Sequence, residues 1–445
     1  MNQSYSMTAE ERNYLRELAR KYLGYAKLPI MEERTRLWYA HNAFRGERPM
    51  IVVEEGSFLE DILPPLRCRS DAAVRMERQL LQPITSFDLI GDDKVISPHF
   101  AIPYAIRSPA YGVEVQRTYA KDAQGRSLGY TEEHPIKDLQ RDLPKLKHGE
   151  YSFDRERTYA WKAFVDETFG DILPTAMKNY SLHWHTAPSQ RIVELMGLEN
   201  MMLGMMDNPD GMHALYRFIT DDMIAFVKWQ EEQGLLVLNN GNDFVGAGSF
   251  GFSDELPKSD AAGGSSPAAG PRSAGSGAGT AAAPGAVAAG KVRARDLWGN
   301  VNSQETVGIS PGMYHEFIYP YYKDLAELYG LVYYGCCEPV HSIWDDSISR
   351  LPNLRKVSVS AWCDEEFIGE RLRGGKVIYS RKPSPNFIGI EGMFTEEGFA
   401  THIRRTLDAA RGCTLEIIFR DIYNLSGDRS KPGKGVQIIR RLIDK

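Results

Sequence analysis

The densest chemistry in this sequence is the run Gly335-Cys336-Cys337-Glu338-Pro339. Residues two apart on a strand share a face, so Tyr334, Cys336 and Glu338 are predicted to point one way and Cys337 the other. A thiolate beside a carboxylate suits zinc or another thiophilic ion, and Cys336, Cys337, Glu338 and His341 are the candidate ligands. The plainer alternative is a cysteine buried as a small hydrophobe, with Glu338 hydrogen-bonding the next loop.

His183-Trp184-His185 would place both imidazoles on one face of a strand, where they could bind a metal or move protons. A satisfied structural pair is the alternative. In Asn239-Asn240-Gly241-Asn242-Asp243, Asp243 could act as a general base, and Asn239 and Asn242 could contact substrate. A simple Asn/Gly turn would need no function. Glu338 joins His183, His185 and Asp243 as a candidate acid-base group. Tyr334, Asp364 and Asp421 are further candidate substrate contacts, with helix N-capping the alternative for Asp364.

These residues need elements to position them. Short β-rich runs occur at 49–54, 94–102, 180–185, 234–243, 330–338, 356–364, 376–381 and 413–422. Helical patterns lie between most of them, at 191–196, 211–233, 310–329, 365–372 and 395–410, and the chain ends in another at 435–444. Ser310-Pro311 is a good helix start. Gly234, Gly330 and Gly412 stand where left-handed C-terminal caps are wanted. Strand–helix alternation implies parallel strands joined by crossovers. Eight strands with a final helix predict an α/β fold of the (β/α)8 TIM-barrel type, with functional side chains at the strand C-termini. An open doubly wound sheet is the runner-up, but no G-x-G-x-x-G turn follows the first strand.

The whole chain, 1–445, reads as one domain with an N-terminal helical extension over 1–47. Residues 259–290 are rich in Ala, Gly, Ser and Pro and lack aromatic residues. Such a stretch cannot offset its ordering entropy, so a disordered surface insertion is expected there.

The net charge of −6 gives no reason to expect nucleic acid. The N-terminus is charged and amphipathic, without the apolar centre of a signal peptide. No apolar stretch approaches the length needed to span a bilayer, so no membrane partner is expected. Five scattered cysteines do not form a disulfide framework. Reduced thiols and a cytoplasmic location follow.

Arg48-Pro49 leading into a first strand, GLENMMLGMMDNPDGMHAL, ISPGMYHEFIYPYYKDLAELYGLVYYGCCEP and SVSAWCDEE together resemble the uroporphyrinogen decarboxylase-like superfamily. The resemblance spans nearly all of the chain apart from the 259–290 insertion. It implies a (β/α)8 barrel and either porphyrinogen decarboxylation or methyl transfer with a corrinoid protein. Homodimers are common in such families.

The decarboxylases carry an Arg-rich turn after the first strand; here that place reads Glu54-Glu55-Gly56-Ser57. Acidic residues would repel a polycarboxylate. After the second strand the decarboxylases present an aspartate, where this chain has Ile96-Ser97-Pro98-His99. The corrinoid-linked methyltransferases bind zinc through an H-x-C pair, and the matching place here is Tyr334-Gly335-Cys336. The resulting expectation is a methyltransferase acting on a small molecule with a corrinoid or other methyl carrier, with zinc as its metal. A cofactor-free decarboxylase and a non-catalytic binding barrel are the alternatives.

Overall fold

The computed structural model describes residues 5–108, 111–121, 127–257 and 291–444. The 259–290 stretch lies outside the described residues.

Two helices precede the first strand. α1 (Ala9–Ala26) opens with a capping box between Thr8 and Glu11, and α2 (Pro29–Asn42) opens with Pro at its first position. The architecture is mixed α/β. Eight strands of the described residues run in parallel pairs: β1 (Met50–Val53), β2 (Phe100–Pro103), β3 (Thr175–Lys178), β4 (Trp298–Val301), β5 (Leu331–Tyr334), β6 (Leu354–Val359), β7 (Ile378–Arg381) and β8 (Leu415–Phe419). Six form one sheet in the order β1-β8-β7-β6-β5-β4, and β2 pairs with β3 separately. β1, β4, β5, β7 and β8 are buried along their whole length, as parallel strands covered on both faces should be.

Among the described residues the backbone ladder does not form a continuous ring. Beyond β1, the Asp92 and Asp93 carboxylates accept from Val53 and Ile51 N–H, and Asp93 N–H donates to the Ile51 carbonyl. Beyond β4, the Asn239 side chain donates to the Trp298 carbonyl and accepts from Trp298 N–H. Side chains therefore stand in for strand edges at both gaps.

Two of the expected strands are not strands. Residues 180–185 are a turn, begun where Asn179 Oδ1 accepts from Ser181 N–H at 3.0 Å. Residues 234–243 lie beside β4 without ladder pairing. Of the run 94–102, only its end is strand. β4 was not among the expected strands.

The segment 244–252 runs through the space enclosed by these strands. A Cβ on Gly246 would sit 2.2 Å from the Tyr333 ring, and one on Gly248 would sit 2.6 Å from Ile418. Gly248 also has φ +80, which disfavours any other residue. Lower in the interior, Lys356 Nζ reaches Glu416 at 3.0 Å and Ser249 Oγ at 2.7 Å, and His41 Nε2 lies 3.3 Å from Glu416. Buried charges here are paired, as burial requires.

Candidate functional site

The side chains that can do chemistry gather just past the strand C-termini. Glu54 follows β1, His183 and Trp184 lie in the turn after β3, Cys336 and Cys337 follow β5, Lys382 follows β7, and Arg420 and Asp421 follow β8. Open parallel sheets place ligands at this end.

Gly335 has φ +99, so the chain leaves the strand before the cysteines. Strand alternation fails there, and the two thiols do not point apart as expected. Their sulfurs lie 3.5 Å apart. Cys337 Sγ also donates to Gln304 Oε1 at 3.1 Å. Cys336 is buried and Cys337 half-buried. The hydrogen bond between them makes the first ionisation of the pair easier, holding Cys337 below the usual thiol range, although burial opposes it. The same bond, with burial, pushes Cys336 up. Arg420 favours the thiolate in both cases.

Arg420 is the cation of this cup. Its Nε lies 3.5 Å from Glu54 Oε2 and 3.5 Å from Asp421 Oδ1, and its guanidinium stands over the Trp184 ring at 5.6 Å. Arg420 Nε and Nη1 and Glu54 Oε2 are buried with no hydrogen-bond partner among the described residues. A buried guanidinium with unspent donors suits an anionic or electron-rich ligand group.

Beneath lies Lys382, whose Nζ bonds Tyr333 OH at 2.8 Å and Ser380 Oγ at 2.7 Å. Burial pushes its pKa down to about 7; Glu416 opposes this and Arg420 adds to it. An amine poised there exchanges a proton near neutral pH.

The remaining candidates are placed as follows. Glu338 is buried and accepts from Ser303 N–H at 3.0 Å and Cys336 N–H at 2.8 Å, so both oxygens brace the turn. Burial raises its pKa. His341 Nδ1 accepts from Asp364 N–H at 3.2 Å. Among the described residues no group of three or more His, Cys, Asp and Glu side chains could hold a metal ion. The set Cys336, Cys337, Glu338 and His341 does not fit zinc, because Glu338 and His341 are turned to backbone N–H groups.

Tyr334 is fully buried, with its hydroxyl 2.6 Å from Ser303 Oγ and 2.8 Å from Tyr314 OH, and has no surface left for a substrate. Asp364 caps the helix Glu365–Leu372 by accepting from Phe367 N–H. The two imidazoles do not share a face. His183 lies near Arg420 and bonds the Phe244 backbone, and burial lowers its pKa to about 4. His185 packs 4.5 Å from the Phe226 ring, and burial lowers its pKa to about 3. Asp243 holds Lys178 at 2.6 Å. Asn242 donates to the Val95 carbonyl and Ser97 Oγ, while Asn239 serves β4.

Lys382 and the contacts of Arg420 with Glu54 and Trp184 were not recognised in the sequence. The available signal was a charged residue in or directly after an apolar parallel strand: Lys356 and Glu416 lie within β6 and β8, and Lys382 and Arg420 directly follow β7 and β8. A cavity of about 360 Å³ adjoins the cup and is lined in part by His183, Trp184, Asp243, Phe244 and Asn300.

No family model matches the sequence, and no curated protein does. Among solved structures the chain is similar to a methyltransferase from Methanosarcina mazei at 14% identity and TM-score 0.46, with 92% of this chain and 98% of that chain covered. No helix of the described residues is long and apolar enough to cross a membrane.

Proposed function

We propose that the chain is a methyl-transfer enzyme in which Cys337, ionised beside Cys336 and Arg420, is the nucleophile. The observation that carries this reading is the 3.5 Å contact between adjacent thiols at the mouth of the parallel strands. An S–H donor and a nearby guanidinium favour the thiolate without a metal.

The step is a displacement at carbon. The Cys337 sulfur forms a bond to the methyl carbon while the bond to the donor atom breaks, and the electron pair leaves with the donor. Arg420 holds an anionic or electron-rich part of the donor with its unspent N–H groups. Lys382 donates a hydrogen bond to the Tyr333 hydroxyl below and takes no part in the displacement itself. A second nucleophile then removes the methyl group in the other half-reaction, which predicts ping-pong kinetics. A corrinoid carried by a partner protein, or another methyl carrier, is the donor this reading implies. The resemblance to corrinoid-linked methyltransferases supports it.

Methyl transfer from free methylcobalamin, used as a surrogate carrier, tests the proposal. Cys337→Ser should abolish transfer. Unchanged transfer in that variant would overturn the role given to Cys337.

A further inference from the structure

A second cavity, of about 370 Å³, opens between β1, β2 and the 242–250 segment and shares Tyr180, Asp243 and Phe244 with the cavity described above. Its volume is in the range of small-molecule sites. Three oxygens at its wall are buried and accept or donate no hydrogen bond among the described residues: Ser86 Oγ, Asn242 Oδ1 and Glu54 Oε2. Ser86 is 1% exposed. Leaving such groups unpaired is costly, so a ligand that satisfies them is favoured.

The wall's cations are already engaged. Lys94 is bonded to Glu55 and to the Val53 carbonyl, Lys178 to Asp243, and Arg34 to the Lys94 carbonyl. Four carboxylates (Glu54, Glu55, Asp92 and Asp243) face these three cations. His99 adds no charge, because burial lowers its pKa. The unspent valence is therefore mainly acceptor, with Glu54 also paired to Arg420 at 3.5 Å. Asn242 cannot reverse its amide without losing its bond to the Val95 carbonyl. Phe87 and Phe244 line the cavity beside these acceptors, and Arg34 already stands 5.0 Å over the Phe87 ring, as ring faces attract cations.

We propose that this cavity binds a small protonated amine carrying at least one N–H. The N–H is read by Asn242 Oδ1 and Glu54 Oε2, the positive charge by Glu54, and the alkyl or aryl body by the rings. The site goes beyond the thiol chemistry and does not depend on it, although Glu54 also borders Arg420.

Isothermal titration calorimetry of the full chain tests this with three probes of similar size: N,N-dimethylbenzylammonium, N,N,N-trimethylbenzylammonium and benzoate. The dimethyl ion should bind, the trimethyl ion about tenfold or more weakly, and benzoate not at all. Glu54→Gln and, separately, Ser86→Leu should each weaken the dimethyl ion about tenfold or more, with melting temperatures checked so that misfolding is recognised. Cys337→Ser should bind it unchanged. Equal binding of the dimethyl and trimethyl ions, preference for benzoate, no binding of any probe, or indifference to both Glu54→Gln and Ser86→Leu would each overturn the proposal.

Discussion

Cys336 Sγ and Cys337 Sγ lie side by side at 3.5 Å, although consecutive residues of a strand point to opposite faces. The left-handed Gly335 is the reason, since it ends the pleat before the thiols. Removing Cys336 should therefore raise the pKa of Cys337, because its thiolate loses the S–H donor. In Cys336→Ala, the pH profile of iodoacetamide alkylation at Cys337 should move upward relative to the parent. A profile that stays in place would show that the contact does not stabilise the thiolate.

Arg420 should act in the same direction. Arg420→Gln keeps much of the volume and removes the cation, so alkylation at Cys337 should again require higher pH. Its distances to Glu54 and Asp421 are both 3.5 Å, so the guanidinium is not saturated by carboxylate. If Arg420→Gln and the parent share one profile, the cation does not reach the thiols.

Lys382 makes stability depend on pH. Its folded pKa, about 7, lies below the ordinary lysine value, so the unfolded chain holds the extra proton between the two. Stability contributed by this group rises with pH across that window and is lowest below it, where the full cost of burying the charge is present. Lys382→Met should be more stable than the parent below about pH 7 by a few kcal/mol, and the advantage should shrink towards the lysine range. Denaturant titrations at a series of pH values measure this; a pH-independent difference would contradict it.

The buried imidazoles act at acid pH. His183 and His185 have folded pKa values of about 4 and 3, below the ordinary histidine value. Each contributes stability that is lost as pH falls through the histidine range towards the folded value. His185→Phe should move the acid-unfolding midpoint to lower pH. An unchanged midpoint would mean that the ring is not buried neutral.

Gly246 tests the interior segment. An added methyl would overlap the Tyr333 ring at 2.2 Å, and Tyr333 is fully buried. Gly246→Ala should cost about 1–3 kcal/mol or more in a denaturant titration. A neutral substitution would place the segment elsewhere.

Some of this was legible in the sequence because local rules govern it. Apolar runs bounded by turn residues marked β1, β5, β6, β7 and β8, and Ser310-Pro311 and Asp364 behaved as caps. The polar end of the strand set pointed to Cys336, Cys337 and Asp421. What failed depended on tertiary context. The 180–185 run has strand-like residues, but the Asn179 side chain turns the chain first. The 234–243 run yields its place in the sheet to a side chain, Asn239. Glu338 looked like a ligand by type and spacing, and only the fold shows both oxygens bound to backbone N–H groups. Lys382 gained its chemistry from burial, which its place directly after an apolar strand hinted at but did not measure.

Peptide mass mapping after single turnover with methylcobalamin tests the central claim most directly. A single methyl group on Cys337, absent at Cys336 and lost when a second nucleophile is added, is the result expected. Methyl transfer to an external acceptor with Cys337 never modified would contradict the thiolate mechanism.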